Sequence, residues 1–169
     1  MRISGSDLTT DTLRMAFSAF PSGVTAIAGL RDGRPHGLAA SSFTSVSIEP
    51  PLVSVCVAHT STTWPLLSPM PRLGVSVLGE DQGELCRALA AKTGDRFARV
   101  EWEASDTGAV FLRGAALWLE CSLHAQLPAG DHDIALLNIH RLDTYDDVQP
   151  LVFHGSRFRQ LASESFART

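Results

Sequence analysis

The chain has 169 residues, of which 44% are hydrophobic and 19% charged, with a formal net charge of −4. That length suits one domain around one core, and the balance is that of a folded chain. A net negative charge without lysine or arginine clusters argues against a nucleic-acid binder. No apolar stretch approaches the roughly 18 residues that a membrane-crossing helix needs. Residues 1–12 are polar and lack the basic and apolar parts of a signal peptide, so a cytoplasmic location is expected. The three cysteines, Cys56, Cys86 and Cys121, are odd in number and form no CxxC pair. They read as reduced, small and mostly buried hydrophobes.

In chain order, residues 9–20 have helical spacing, with Leu13, Phe17 and Phe20 on one face and Thr9 or Thr10 as cap. Pro21-Ser22-Gly23 stops that helix. Residues 24–30 read as a buried strand, and Asp32-Gly33 signals a hairpin into a return strand over 36–42. A short alternating stretch at 46–48 ends at Glu49-Pro50-Pro51. Residues 52–58 are nearly all apolar, as in an interior strand. One or two helical turns follow at 61–67, then a strand at 73–78 and a helix at 81–92 capped by Asp81. The clearest strand is 115–126, with Leu117, Leu119, Cys121 and Leu123 facing one way and Trp118, Glu120, Ser122 and His124 the other. Strands at 134–142 and 151–153 complete the set, and Gly155 leads into 157–161. Six to eight hairpin-linked strands with a few short flanking helices predict a mainly β fold, an antiparallel barrel rather than a doubly wound sheet.

The chemistry is narrowed by absences. The chain has no GxGxxG after a strand, no GxxxxGK[ST], no HExxH and no GxSxG. Its six histidines do not pair at metal-ligand spacing, so no metal is expected. Two hydroxyl clusters stand out at the ends of apolar strands: Ser41-Ser42-Phe43-Thr44-Ser45 and His59-Thr60-Ser61-Thr62-Thr63. The small residues Gly37, Ala39 and Ala40 before the first cluster would let a flat ring approach the backbone. Hydroxyls with nearby backbone N–H groups can bind a phosphate without a glycine loop. Serine and threonine also fill turns and strand ends, and spacing alone leaves both readings open. Lys92 and Arg96 could complete a phosphate site or be solvated surface. His132, in a Gly-Asp-His turn, could orient a dinucleotide or be an inert loop residue.

Taken together, the motifs resemble the short-chain flavin reductases, the reductase components of two-component flavin monooxygenases. The resemblance rests on residues 40–53 (ASSFTSVSIEPPLV), with Gly23-Val24-Thr25 upstream. It continues through Cys56-Val57, Ser61 and Thr62, Arg96-Phe97, Gly130-Asp131-His132 and Pro150-Leu151-Val152-Phe153 with Gly155. In this order they cover residues 12 to 161, and within the family the chain is similar to reductases of actinobacterial polyketide oxidation.

The resemblance implies a split antiparallel β-barrel, single-domain over residues 1–169, forming a homodimer that binds FMN or FAD. Flavin contacts carried over from the family fall first on Pro35, His36, Gly37, Leu38 and Ala39. The strand of Ala40, Ser41 and Ser42 is expected along the ring. Cys56, Val57, Ala58, His59 and Thr60 continue the site, with Ser61, Thr62 and Thr63 by the phosphate. Lys92 and Arg96 supply the cations. Nicotinamide recognition, from NADH or NADPH, falls to His132 and to Arg157 and Phe158. No catalytic acid or base is implied, because hydride passes between cofactors. Reduced flavin would then leave for a separate monooxygenase.

One position departs from the pattern. The family commonly has glycine where this chain has Leu137, and a side chain there would narrow the nicotinamide space. Leu137 therefore favours the alternative of a flavin-binding or storage module without turnover. Asn138 beside it is unexpected in a strand. A third reading, a pyridoxine phosphate oxidase on a related barrel, lacks the expected run of basic phosphate ligands.

Overall fold

The computed structural model describes residues 7–162; residues 1–6 of the polar N-terminal segment and residues 163–169 lie outside it. Helix α1 (Thr10–Phe17) is followed by strands β1 (Ser22–Gly23), β2 (Thr25–Arg31), β3 (Arg34–Ala40), β4 (Thr44–Ser47) and β5 (Leu52–Ala58). Next come α2 (Trp64–Leu67), β6 (Leu73–Val77), α3 (Gly83–Ala90), β7 (Trp102–Ala104) and β8 (Val110–Leu112). The long strands β9 (Leu117–Ala129) and β10 (His132–Thr144) precede β11 (Val152–His154) and β12 (Arg157–Arg159). The fold is mainly β and antiparallel throughout. Seven strands form one sheet in the order β3-β2-β6-β9-β10-β5-β4, with smaller sheets β1-β11-β12 and β7-β8.

Local chemistry explains the turns. Asp32 and Gly33 both have positive φ, 52° and 72°, as a two-residue hairpin of the primed type requires. Residues 130 and 131 close the β9–β10 hairpin in the same two-residue space, with Gly130 at φ 70°. Thr9 caps α1, its Oγ1 accepting from the Thr12 N–H at 3.2 Å.

The apolar run of β2 buries both of its faces. Ile27 joins Val53, Val55, Val75, Leu119 and Leu137 in one core cluster. Ala26 and Ala28 face a second cluster with Val24, Leu89, Phe97, Val110 and Leu112. The β7–β8 hairpin, which the sequence reading left without an element, helps cover that second core. It approaches closely because β6 carries Gly74, where a Cβ would lie 2.0 Å from the Val110 carbonyl oxygen.

That hairpin also changes the reading of β9. Leu119 and Cys121 are buried as the alternation predicts, but Glu120 on the opposite face is only 4% exposed. Trp118 stacks on Phe111 at 5.2 Å and donates from Nε1 to the Leu112 carbonyl at 2.8 Å. The Glu120 carboxylate is compensated by Arg72 at 3.5 Å, Arg141 at 3.4 Å and the Thr107 hydroxyl at 2.9 Å.

Helix α3 is shorter than the 81–92 reading and begins after Gln82, not Asp81. The Gln82 side chain accepts from the Gly79 N–H and donates to the Arg113 carbonyl, so it ties the helix start to the neighbouring loop. Helix α1 ends at Phe17, short of the 9–20 reading, and buries none of its residues; Phe17, and Phe20 in the turn beyond it, are 69% and 78% exposed. The described chain offers no core for that apolar face. Asn138 has a partner across the hairpin: its Nδ2 lies 3.1 Å from His124 Nδ1.

Candidate functional site

Strands β3 and β5 come together where β3 ends. Ser42 Oγ accepts from the Cys56 N–H at 2.8 Å and donates to the Cys56 carbonyl at 3.2 Å. One hydroxyl thus replaces a backbone ladder pair, which commits Ser42 to the scaffold. A cavity of about 340 Å3 opens beside this seam. Leu38, Ala39, Ala40, Ser41 and Ser42 form one wall, and Cys56, Val57 and Ala58 another. Ser61 and His132 complete it. Most of the lining side chains are small, and the wall mixes apolar groups with the hydroxyls of Ser41, Ser42 and Ser61.

A second cavity, about 520 Å3, shares Leu38, Ala39 and Ser61 with the first. It adds Thr60, Thr62 and Thr63 from the loop, Leu89 and Ala90 from α3, and the cations of Lys92 and Arg96. Ser61 Oγ accepts from the Trp64 N–H at 3.1 Å, which shapes the loop and leaves the hydroxyl proton to donate. A third cavity, about 720 Å3, shares Thr63 and Arg96 with the second. Arg34, Pro35, His36 and Gly37 line one side of it, and Gly94, Asp95, Phe97 and Trp102 the other.

Arg96 is held in place between the last two cavities. Its Nη1 donates to Thr63 Oγ1 at 2.8 Å and to the Gly37 carbonyl at 3.2 Å. Phe97 anchors it from below by packing on Gly37, where a Cβ would lie 2.9 Å from the Phe97 ring. The absence of a side chain at Gly37 therefore makes room for this aromatic contact.

Two histidines stand at the opposite end, each against a carboxylate. His132 Nδ1 lies 2.7 Å from Asp131 Oδ1, and His59 Nε2 lies 2.8 Å from Asp133 Oδ1. The His132 hydrogen bond holds the Asp131 carboxyl below its ordinary pKa. Hydrogen bonds from His59 and then Gln126 do the same for Asp133. Gln126 in turn accepts from the buried Trp64 indole at 3.1 Å. A continuous polar chain therefore connects α2 through β9 and β10 to the loop at His59. His59 itself lines none of the three cavities.

The remaining sequence candidates lie elsewhere. Phe158 packs edge-on against Phe153 at 5.6 Å and beneath the Arg87 guanidinium at 5.0 Å. The Arg87 contact holds Phe158 of β12 against α3, and neither Phe158 nor Arg157, which pairs with His154 in the small sheet, lines the three cavities. Leu137 is fully buried in the first core cluster and does not line the cavity at His132. It does not narrow that space. Sequence reasoning missed Arg34, Trp102, Leu89 and Ala90, which reach the site only through the packing of separate hairpins and α3.

The site is thus a trough, a series of adjoining cavities: one of mostly small side chains, then hydroxyls with two cations, then a chamber that sets Phe97 and Trp102 among charged groups. Such a sequence of surfaces fits a planar ring carrying a phosphate. Comparisons with known proteins agree. The family described as Flavin reductase like domain matches residues 17–162. The actinorhodin polyketide dimerase of Streptomyces coelicolor is 40% identical over 156 residues, covering 92% of this chain and 88% of that protein. The reductase subunit HsaB of a flavin-dependent monooxygenase from Rhodococcus jostii is 33% identical over 145 residues, covering 86% and 74%. Among solved structures, the NADH:FAD oxidoreductase SgcE6 of Streptomyces globisporus, in complex with NAD and FAD fragments, superposes with a TM-score of 0.89. That alignment has 34% sequence identity and covers 96% of this chain and 99% of that one. The chain belongs to the flavin reductase family.

Proposed function

We propose that this chain is an NAD(P)H:flavin oxidoreductase whose flavin lies in the first two cavities and is handed, reduced, to a separate monooxygenase. The observation that carries the reading is the continuity of the trough. A wall at Leu38–Ser42, small-residue from Ala39 on, adjoins the hydroxyls of Ser61, Thr62 and Thr63 and the cations of Lys92 and Arg96. When bound, flavin accepts hydride from the nicotinamide ring, so the chemistry belongs to the two cofactors.

The residues bind and orient. Backbone around Ser41 and Ser42, stiffened by the Ser42–Cys56 bonds, gives the ring a rigid edge. Lys92 and Arg96 offset phosphate charge through charge-assisted hydrogen bonds. His132 stands at the ring end, against Asp131, where the nicotinamide must lie for near-attack contact. The storage alternative loses its one support, because Leu137 faces the core.

We infer further that the whole chain is one domain, a split β-barrel in which the Ser42–Cys56 contact joins the two flanks of the seven-stranded sheet. We also infer a homodimer, supported by the uncovered apolar face of α1. The test of function is an anaerobic titration with NADH and with NADPH, in the presence of FMN or FAD. Bleaching of added flavin at the expense of nicotinamide is expected. Binding without bleaching by either reductant would refute the reductase reading.

A further inference from the structure

The polar chain that reaches His59 brackets the loop between β5 and α2. His59, the first residue of that loop, lies with Nε2 2.8 Å from Asp133 Oδ1. Trp64, which follows its last residue, donates from Nε1 to Gln126 Oε1 at 3.1 Å, and Gln126 Nε2 donates to Asp133 Oδ2. One carboxylate thus fastens the loop at both ends, with one oxygen for each. Asp133 occupies a register that otherwise serves the core: Val57, opposite it on β5, and Ala135, two residues on, are both buried. The Trp64 indole needs only Gln126. A carboxylate here, with 19% of its side chain exposed, carries a desolvation cost that an apolar residue would not, and what the charge adds is the tie to His59.

Between the two anchors lie Thr60, Ser61, Thr62 and Thr63, which line the second cavity with Lys92 and Arg96. Thr63 Oγ1 accepts from the Arg96 guanidinium, so the position of the loop sets that of the cation. Neither Asp133 nor Gln126 lines any of the three cavities. We propose that Asp133 is a positioning residue: it holds this loop from both ends and so presets its hydroxyls, and Arg96 through Thr63, for the phosphate of a flavin. The proposal rests on the flavin reading above. A loop fixed before binding need not be ordered by the ligand. The gain falls on the phosphate, because the ring cavity is walled mainly by β3, the residues after it and β5.

The experiment compares flavins with and without a phosphate: FMN and FAD against riboflavin. Dissociation constants are read from quenching of flavin fluorescence, and kcat and KM from oxidation of the nicotinamide that the chain uses. Asp133→Ala cuts both ties. It is expected to weaken FMN and FAD binding about tenfold and riboflavin binding less than about twofold. KM for FMN or FAD should rise with kcat kept, the split of an interaction made equally in ground and transition states. Asp133→Asn should restore most of the lost affinity, because its amide oxygen can accept from Gln126 while its N–H donates to a neutral imidazole. Gln126 is exposed, and Gln126→Ala cuts only the Trp64 tie; it should give a smaller shift of the same selectivity, which keeps the test sound if Asp133→Ala does not fold. An equal loss for all three flavins, as a general structural role would give, overturns the proposal, and so does no loss for any. A wild type that binds FMN and FAD no more tightly than riboflavin removes the phosphate from this loop before any variant is compared. If no flavin binds, the flavin reading itself fails and takes this proposal with it.

Discussion

Arg96 shows how a residue on an irregular segment becomes the hinge of a site. Its position depends on Phe97, which packs into the space left by Gly37, and on the Thr63 hydroxyl. Arg96→Ala removes charge-assisted bonds of about 1.5–3 kcal/mol and should raise the flavin KM about tenfold to a hundredfold. Arg96→Lys should recover only part of that loss, because a point charge lacks the fork; steady-state kinetics against flavin checks both. Gly37→Ala pushes on the Phe97 ring and on backbone at once. It should cost about 1–3 kcal/mol of stability, read as a lowered melting temperature, and weaken flavin binding through Arg96. Asp133 offers a pH test. Its folded pKa is depressed by His59 and Gln126, so its contribution is complete above the ordinary value of 3.8 and is lost as pH falls through the lower folded value. Below about pH 4, Asp133→Asn should therefore show a flatter loss of melting temperature than the wild type, in thermal scans across acid pH.

Among the elements, α1 and the β7–β8 hairpin depart most from what their sequences suggest. The helical spacing of Leu13 and Phe17 was legible, and Thr9 caps the helix as read, but the helix stops before Phe20. Its apolar face nevertheless meets no core in the described chain, which an amphipathic pattern cannot reveal, because periodicity names a face and not its partner. With a second copy as that partner, the wild type should run at twice 18.2 kDa in light scattering, and a Phe17→Ser, Phe20→Ser double variant should shift toward a single chain. A wild type that runs as one chain at all concentrations would refute the homodimer. The β7–β8 hairpin was invisible for another reason. Its strands have three residues each, too few for an alternation to register, yet it covers the second core and turns Glu120 into a buried, twice-paired carboxylate.

At the scale of the molecule, the trough exists because separated stretches converge: the β2–β3 hairpin with β3 and its end, β5 with the β5–α2 loop, the end of α3 with the segment through Trp102, and the β9–β10 turn. The sequence by itself determined the antiparallel, mainly β character, the Asp32-Gly33 hairpin, the long strand through Leu119 and Cys121, and a resemblance resting on residues 40–53. These are local or ordered along the chain: turn chemistry, two-residue periodicity and motif spacing. Only the tertiary structure decided that Leu137 faces the core, that Gly37 makes room for Phe97, and that Phe158 packs under Arg87 of α3. It also brought Arg34 and Trp102 to a chamber that no motif marks. Side-chain direction after a bulge, such as the register shift between Leu136 and Leu137, and contacts between distant hairpins depend on long-range packing, which a one-dimensional pattern does not encode. The hydroxyl-rich segment carries both lessons: its spacing was legible as a motif, but which hydroxyls hold the scaffold and which face the trough was settled by Cys56 and Trp64.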